Sequence, residues 1–150
     1  MQPKIVDRPG FTVVGLKYHG KNEHNEIPQL WQALMPRVGE IKNMFDDHVA
    51  YGISANMDKS SGEFDYIAGF EVSSIKHVPE DMVSFEVPRT KYAVFSTTLP
   101  KIGETFDKAH HTWLPQSGYQ PTGGPEFEAY DERFDPQDPE SLFDLYIPVK

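Results

Sequence analysis

The sequence predicts an α+β protein in which two β-α-β-β halves, related by an approximate two-fold axis, share an antiparallel sheet and carry one main helix each. Three observations lead there. β-rich runs bounded by glycine, proline and asparagine occur in both halves, Phe11–Tyr18 and Phe64–Val72 in one, Lys91–Thr97 and Phe143–Val149 in the other. Each half also has apolar residues at helical spacing: Ile27, Leu30, Trp31, Leu34 and Val38, then Ile102, Phe106, Ala109 and Trp113. Finally, the halves repeat. Tyr51 stands 13 positions before Phe64-Asp65 and Tyr130 stands 13 before Phe143-Asp144, an offset of 79, while Trp31 and Phe106 take matching places 75 apart. The halves, about 1–78 and 82–150, are each too small to bury a helix and a sheet face well. Residues 1–150 are therefore expected to form one domain, with its natural cleft where the halves meet.

In chain order, Ile5-Val6 lead through the turn Arg8-Pro9-Gly10 into the strand Phe11–Tyr18. Asn25 is the expected N-cap of the first helix, with Glu26 in its first turn and Pro28 early, where proline is tolerated; Pro36 kinks or ends it. His48–Asn56 reads as a strand with Val49, Tyr51 and Ile53 on one face, and Met57–Glu63 as a turn. Phe64–Val72 is nearly all apolar, which predicts burial on both faces. Val78-Pro79-Glu80-Asp81 is the internal boundary. Met82–Val87 and Lys91–Thr97 form strands around Pro88-Arg89-Thr90, and Thr98 is placed to cap the second helix. That helix is expected to stop at Trp113-Leu114-Pro115, since proline disfavours helix in the residue before it and cannot continue the ladder. Gly118 offers the left-handed geometry of a helix end, and Pro121-Thr122-Gly123-Gly124-Pro125 reads as a tight loop. Glu126–Asp131 and Phe143–Val149 close the chain as strands.

Composition removes several function classes. The chain has 14 basic and 23 acidic residues, a net charge of −9, and no basic run. A phosphate backbone or an anionic membrane surface would be repelled, so direct binding to nucleic acid or membrane is not expected. There are no cysteines, hence no disulfide, thiol catalysis or thiolate metal site. No apolar run approaches the roughly 18–20 residues of a membrane span, and the start MQPKIVDRPG lacks a secretory signature, so a cytoplasmic protein is the default. No phosphate-binding glycine loop or nucleophile elbow is present. Asp107 and His111 lie four apart on a helix, yet two ligands do not make a metal site; no metal and no cofactor are expected, and His110 and His111 read as surface or helix-end residues.

The stretch with the most chemistry is Trp113–Asp131. On the strand Glu126–Asp131, Glu126, Glu128 and Tyr130 share one face and Phe127 and Ala129 the other. If only the Phe127 face meets the core, Glu128 is solvated. If the sheet is covered on both faces, Glu128 sits beside aromatics in a partly dry place, where a carboxyl raises its pKa or meets a cation.

Pro100–Trp113, Leu114-Pro115-Gln116-Ser117-Gly118-Tyr119, Gly124-Pro125-Glu126-Phe127-Glu128-Ala129-Tyr130-Asp131 and Asp144-Leu145-Tyr146-Ile147-Pro148-Val149, in this order, closely resemble the GyrI-like small-molecule-binding domain, the effector-binding part of many AraC-type and MerR-type multidrug regulators. The resemblance covers essentially the whole chain. It implies the duplicated fold, a central pocket lined by aromatics, and an acidic residue in it that falls on Glu128. The walls it implies are Tyr51, Tyr66, Tyr130, Tyr146, Trp31 and Trp113. The expected partner is a small hydrophobic, often cationic, aromatic molecule that is sequestered or sensed. No helix-turn-helix precedes Met1, so the likeness is to the standalone branch. Some of its members are similar to hydrolases that open strained cyclopropane rings, which would make Glu128 a general base; others act on DNA gyrase or partner a regulator. Exposed edge strands are compatible with a monomer or a homodimer.

Overall fold

Alternating β-branched and aromatic residues build the strands, and they join into a single antiparallel sheet of eight. The computed structural model describes residues 2–150. Its elements are β1 (Lys4–Arg8), β2 (Phe11–Gly20), α1 (Glu26–Leu34), β3 (Ala50–Ala55), β4 (Phe64–Val72), β5 (Val83–Val87), β6 (Thr90–Thr97), α2 (Ile102–Lys108), α3 (Leu114–Ser117), β7 (Glu126–Tyr130) and β8 (Phe143–Val149). A 3-10 segment, Met35–Glu40, carries α1 through Pro36, and a π turn, Ala109–Trp113, joins α2 to α3. The sheet order β1-β6-β8-β7-β3-β4-β2-β5 is symmetric in type about the central pair β7 and β3. This is the duplicated α+β architecture expected. No helix among the described residues is long and apolar enough to cross a membrane.

The strands on either side of Pro9-Gly10, and those on either side of Pro88-Arg89, do not pair with each other. β1 lies against β6, with Ile5 opposite Ala93, and β5 lies against β2, with Val13 opposite Phe85. Each half thus receives its edge strand from the other. The crossovers run through Pro9-Gly10 and Val87-Pro88-Arg89, and a Cβ on Gly10 would stand 3.0 Å from the Val87 carbonyl. Proline at each crossover lacks the N–H that a tight two-stranded ladder would use. The exchange binds the halves together.

Both faces are consequently covered. Under the helices, Leu34 packs with Val14, Leu16, Tyr66 and Phe70, and Ala109 and Leu114 pack with Phe95, Phe143, Leu145 and Ile147. The opposite face has no helix, yet Phe11, Tyr51, Ile67, Tyr92 and Phe127 are buried there, closed over by Val6, Val83 and Phe85 from the exchanged strands.

Three helix ends differ from expectation. Asn25 is itself left-handed, at φ 60°, and makes no side-chain cap. Asn22 takes that task, its Oδ1 accepting the Ile27 N–H at 3.0 Å, while the Glu26 carboxylate accepts the His24 N–H at 2.9 Å. Thr98 makes no side-chain cap either. The second helix does not stop at Trp113. Its ladder widens at the π turn, where the Leu114 N–H reaches the Ala109 carbonyl. Pro115 then falls at the start of a new four-residue turn, where no N–H is needed. Gly118, at φ 85°, ends that turn as expected.

Candidate functional site

The site begins with register. β7 lies between β3 and β8, and Glu128 stands opposite Gly52 on one side and Leu145 on the other. Its side chain therefore points to the helix-covered face, where it is only 6% exposed. Tyr66 on β4 points to the same face and donates its hydroxyl to Glu128 Oε1 at 2.8 Å; Tyr130, two residues along β7, donates to the same oxygen at 2.7 Å. Trp31 comes down from α1. Its Nε1–H donates to the Tyr66 hydroxyl at 3.1 Å and its ring meets Tyr130 edge-on, with centroids 5.6 Å apart. Tyr130 is held in turn by Phe143 and Phe134, at 4.5 and 4.7 Å between centroids. Gly52 makes the arrangement possible: a Cβ there would collide with the Tyr66 hydroxyl and stand 2.8 Å from Glu128 Oε1.

Burial pushes the Glu128 carboxyl from 4.5 up to about 7, against the lowering effect of the two tyrosine hydrogen bonds. Burial, reinforced by the Glu128 charge, drives the Tyr66 and Tyr130 hydroxyls well above their ordinary value, so both remain donors. Every partner of the acid is a neutral donor. Among the described residues no hydrogen bond reaches Glu128 Oε2, and no fully buried side-chain atom is left without a partner, so Oε2 keeps a small contact with solvent.

Of the residues singled out from sequence, Glu128, Tyr130, Tyr66 and Trp31 come together here. Tyr51 and Tyr146 do not. They lie on the opposite face, across from Ala129 and Phe127 respectively. There the Arg8 guanidinium donates to the Tyr51 hydroxyl at 2.9 Å and covers Phe11 at 4.1 Å from the ring centroid, with Glu71 at 3.4 Å. Trp113 stacks on Tyr119 and meets Phe95 edge-on inside the second helix's core, without a contact to Glu128. The expectation that Tyr51 approaches the acid fails on parity. A two-fold axis between antiparallel β3 and β7 preserves faces, so equivalent residues differ by an even number, whereas Tyr51 and Tyr130 differ by 79.

Sequence reasoning passed over His110, which is not a bystander at a helix end. Its Nε2 lies 2.6 Å from Glu126 Oε2, and that hydrogen bond holds the imidazole above its ordinary pKa. The signal was the strand alternation, which already put Glu126 on the Glu128 face. Asp107 and His111 are 4.0 Å apart and exposed. Asp46, Asp47 and His48 form an exposed group in the loop that leads into β3. Two surface hollows, of about 490 and 330 Å³, are lined by Val38, Ile41 and Phe45, and by Val94, Arg133 and Asp144; neither borders Glu128, over which Trp31 is closed.

Residues 4–149 match the model of Cass2, the integron-associated effector binding protein. The chain belongs to this effector-binding family. It is 47% identical over 152 residues to the transcriptional regulator BrlR of Pseudomonas aeruginosa, a match that takes in 99% of the chain and 56% of BrlR, so the chain spans little more than half of that relative's length. Among solved structures it is similar to SAV2435 bound to tetraphenylphosphonium (TM-score 0.74, 20% identity, 100% of this chain and 94% of that one). It is also similar to an integron cassette protein of Vibrio cholerae (TM-score 0.69, 20% identity, 100% and 97%). At that identity the two structures speak for the fold alone, which is the GyrI-like one.

Proposed function

We propose that the chain captures hydrophobic, cationic, aromatic small molecules on the helix-covered face, with Glu128 as counter-charge, for sequestration or sensing. The observation that carries this reading is a carboxyl buried among rings whose hydrogen-bond partners are all neutral. Removing an ionised carboxylate from water costs several kcal/mol unless a proton or a cation compensates. A lipophilic cation supplies the charge and also apolar surface for the Trp31, Tyr66 and Tyr130 rings. The relative bound to tetraphenylphosphonium supports this ligand class.

Entry requires Trp31 to lift with α1. That helix has nine residues and only one fully buried side chain, Leu34, so few fully buried contacts oppose its displacement. Titration with tetraphenylphosphonium tests the reading. Glu128→Gln is expected to weaken it by about 1.5–3 kcal/mol, the range for a hydrogen bond to a charged group, while leaving a neutral triaryl analogue unaffected. Equal cation affinity in wild type and variant removes the proposed role.

The hydrolytic alternative uses the same acid, since a carboxyl titrating about 7 is matched to general-base work at neutral pH. Product released from a cyclopropane-bearing alkylator, and its loss in Glu128→Gln, separates turnover from capture.

A further inference from the structure

The face that holds Glu128 has a second acid. Glu126 lies two residues earlier on β7, so its side chain leaves the sheet on the same side, about 7 Å along the strand. Its cross-strand neighbour is the small Ser54. Where Glu128 is shut in, the Glu126 side chain is 25% exposed. Its partner descends from the other wall. His110 is the second residue of the π turn that follows the second helix, and its Nε2 meets Glu126 Oε2 at 2.6 Å. Each half's helix sends one flat ring toward this face, the Trp31 indole to the tyrosines that bind Glu128 and the His110 imidazole to Glu126.

The two acids are treated differently. Glu128 is bound by hydroxyls that burial keeps protonated. Glu126 is bound by one part-exposed imidazole, and a pair of this kind, charged when the histidine is protonated, adds little to stability. We infer that Glu126 is a second anionic subsite of the same cleft, kept by His110 as a displaceable internal partner, and that the pair selects flat aromatic ligands carrying two cationic centres about 7 Å apart. This rests on the reading of Glu128 as the first cation site. A dication reaching both carboxylates takes the place of the His110 N–H on Glu126, so His110 competes with the ligand's second charge.

The test uses the whole chain and two probes, tetraphenylphosphonium with one charge and methyl viologen with a charge at each end of a flat aromatic. Glu126→Gln is expected to weaken methyl viologen by about tenfold, the scale of a part-desolvated charge pair, and to move tetraphenylphosphonium by less than about twofold. His110→Gln is expected to tighten methyl viologen several-fold and leave the monocation alone, whereas Glu128→Gln weakens both. Thermal melts of each variant establish that the fold is intact. Tetraphenylphosphonium binding without methyl viologen binding overturns this inference and leaves the first reading standing. A Glu126→Gln effect equal on both probes, or none, also overturns it, and a His110→Gln variant that weakens methyl viologen removes the competitor role. If neither probe binds, the Glu128 reading falls and this one with it.

Discussion

Cation binding at Glu128 should depend on pH in a way that its burial fixes. Burial moves the carboxyl from 4.5 to about 7, so at pH 6 about nine-tenths of the folded chain carries Glu128 protonated. A bound cation favours the carboxylate, so binding below pH 7 must expel that proton. Apparent affinity for tetraphenylphosphonium is then expected to fall about tenfold from pH 8 to pH 6, with proton release on binding at the lower pH. Stability moves with the opposite sign. The folded state holds a proton between 4.5 and about 7 that the unfolded state has given up, so stability falls as pH rises through that window. At 1.36 kcal/mol per decade, the full penalty above pH 7 is about 3 kcal/mol. Glu128→Gln should erase both slopes and be the more stable form at pH 8. Isothermal titration in buffers of different ionisation enthalpy reads the proton count, and urea melts at pH 5 and 8 read the stability. His110 titrates nearby, held above 6.5 by Glu126, so the same series on His110→Gln assigns the slope. A tenfold pH effect that survives in Glu128→Gln, or a flat profile in the wild type, refutes the reasoning.

Other perturbations separate the parts of the site. Tyr66→Phe removes a donor to Glu128 and the acceptor of the Trp31 N–H, and is expected to cost about 1.5–3 kcal/mol at pH 8 and less at pH 5, measured by chemical denaturation. Gly52→Ala places a methyl against the Tyr66 hydroxyl and Glu128 Oε1; about 1–3 kcal/mol of stability and the cation affinity should go together. Trp31→Ala should speed association of tetraphenylphosphonium in stopped flow while weakening its equilibrium binding, because one ring is both cover and contact. Arg8→Ala lies on the other face and should cost about 1–2 kcal/mol of stability with no change in cation affinity.

Much of the fold was legible because it is written in local periods. Strand alternation fixed which side of β7 Glu128 takes, the helical stripe of Ile102, Phe106 and Ala109 found the second helix, and Gly118 marked its end. Two features lie outside local reading. The exchange of β1 and β5 is a choice between near and distant partners, and no residue in Lys4–Arg8 announces β6 as its neighbour. The helix past Trp113 survives because a π turn absorbs the proline, a register change that no periodicity signals. Within the site, the acid and three of its rings were legible from motif and alternation. Tyr51 was misplaced because equal spacing was taken as equal facing, and an odd offset turns a strand residue over. Tyr146 came with the resemblance, and its pairing with Phe127 puts it on the other face.

The two faces of the central strands pose the same problem and solve it differently. On the helix-free face, Tyr51, Phe127 and Tyr146 surround a cation that the chain itself supplies, with the Arg8 guanidinium 5.4, 5.4 and 5.6 Å from their ring centroids and Glu71 completing the pair. On the helix-covered face, Trp31, Tyr66 and Tyr130 surround an acid whose hydrogen bonds come only from hydroxyls. A chain that already carries one arginine into an aromatic box could satisfy a second carboxylate in the same way. Here it places Gly52 opposite the acid, where only a residue without a side chain leaves room, and covers it with a short helix that has one fully buried side chain. Stability alone would favour a hydrophobic residue or a built-in cation at position 128, because a buried ionised carboxylate without a counter-charge is among the costliest groups a core can hold. The cost is understandable if the counter-charge arrives from outside. A Glu128→Leu chain is then expected to be more stable than wild type by about 1–4 kcal/mol above pH 7 and to have lost cation binding. A Leu variant less stable than wild type at pH 8 would mean that the tyrosine bonds to Glu128 hold the fold together, and the acid would then be a structural residue.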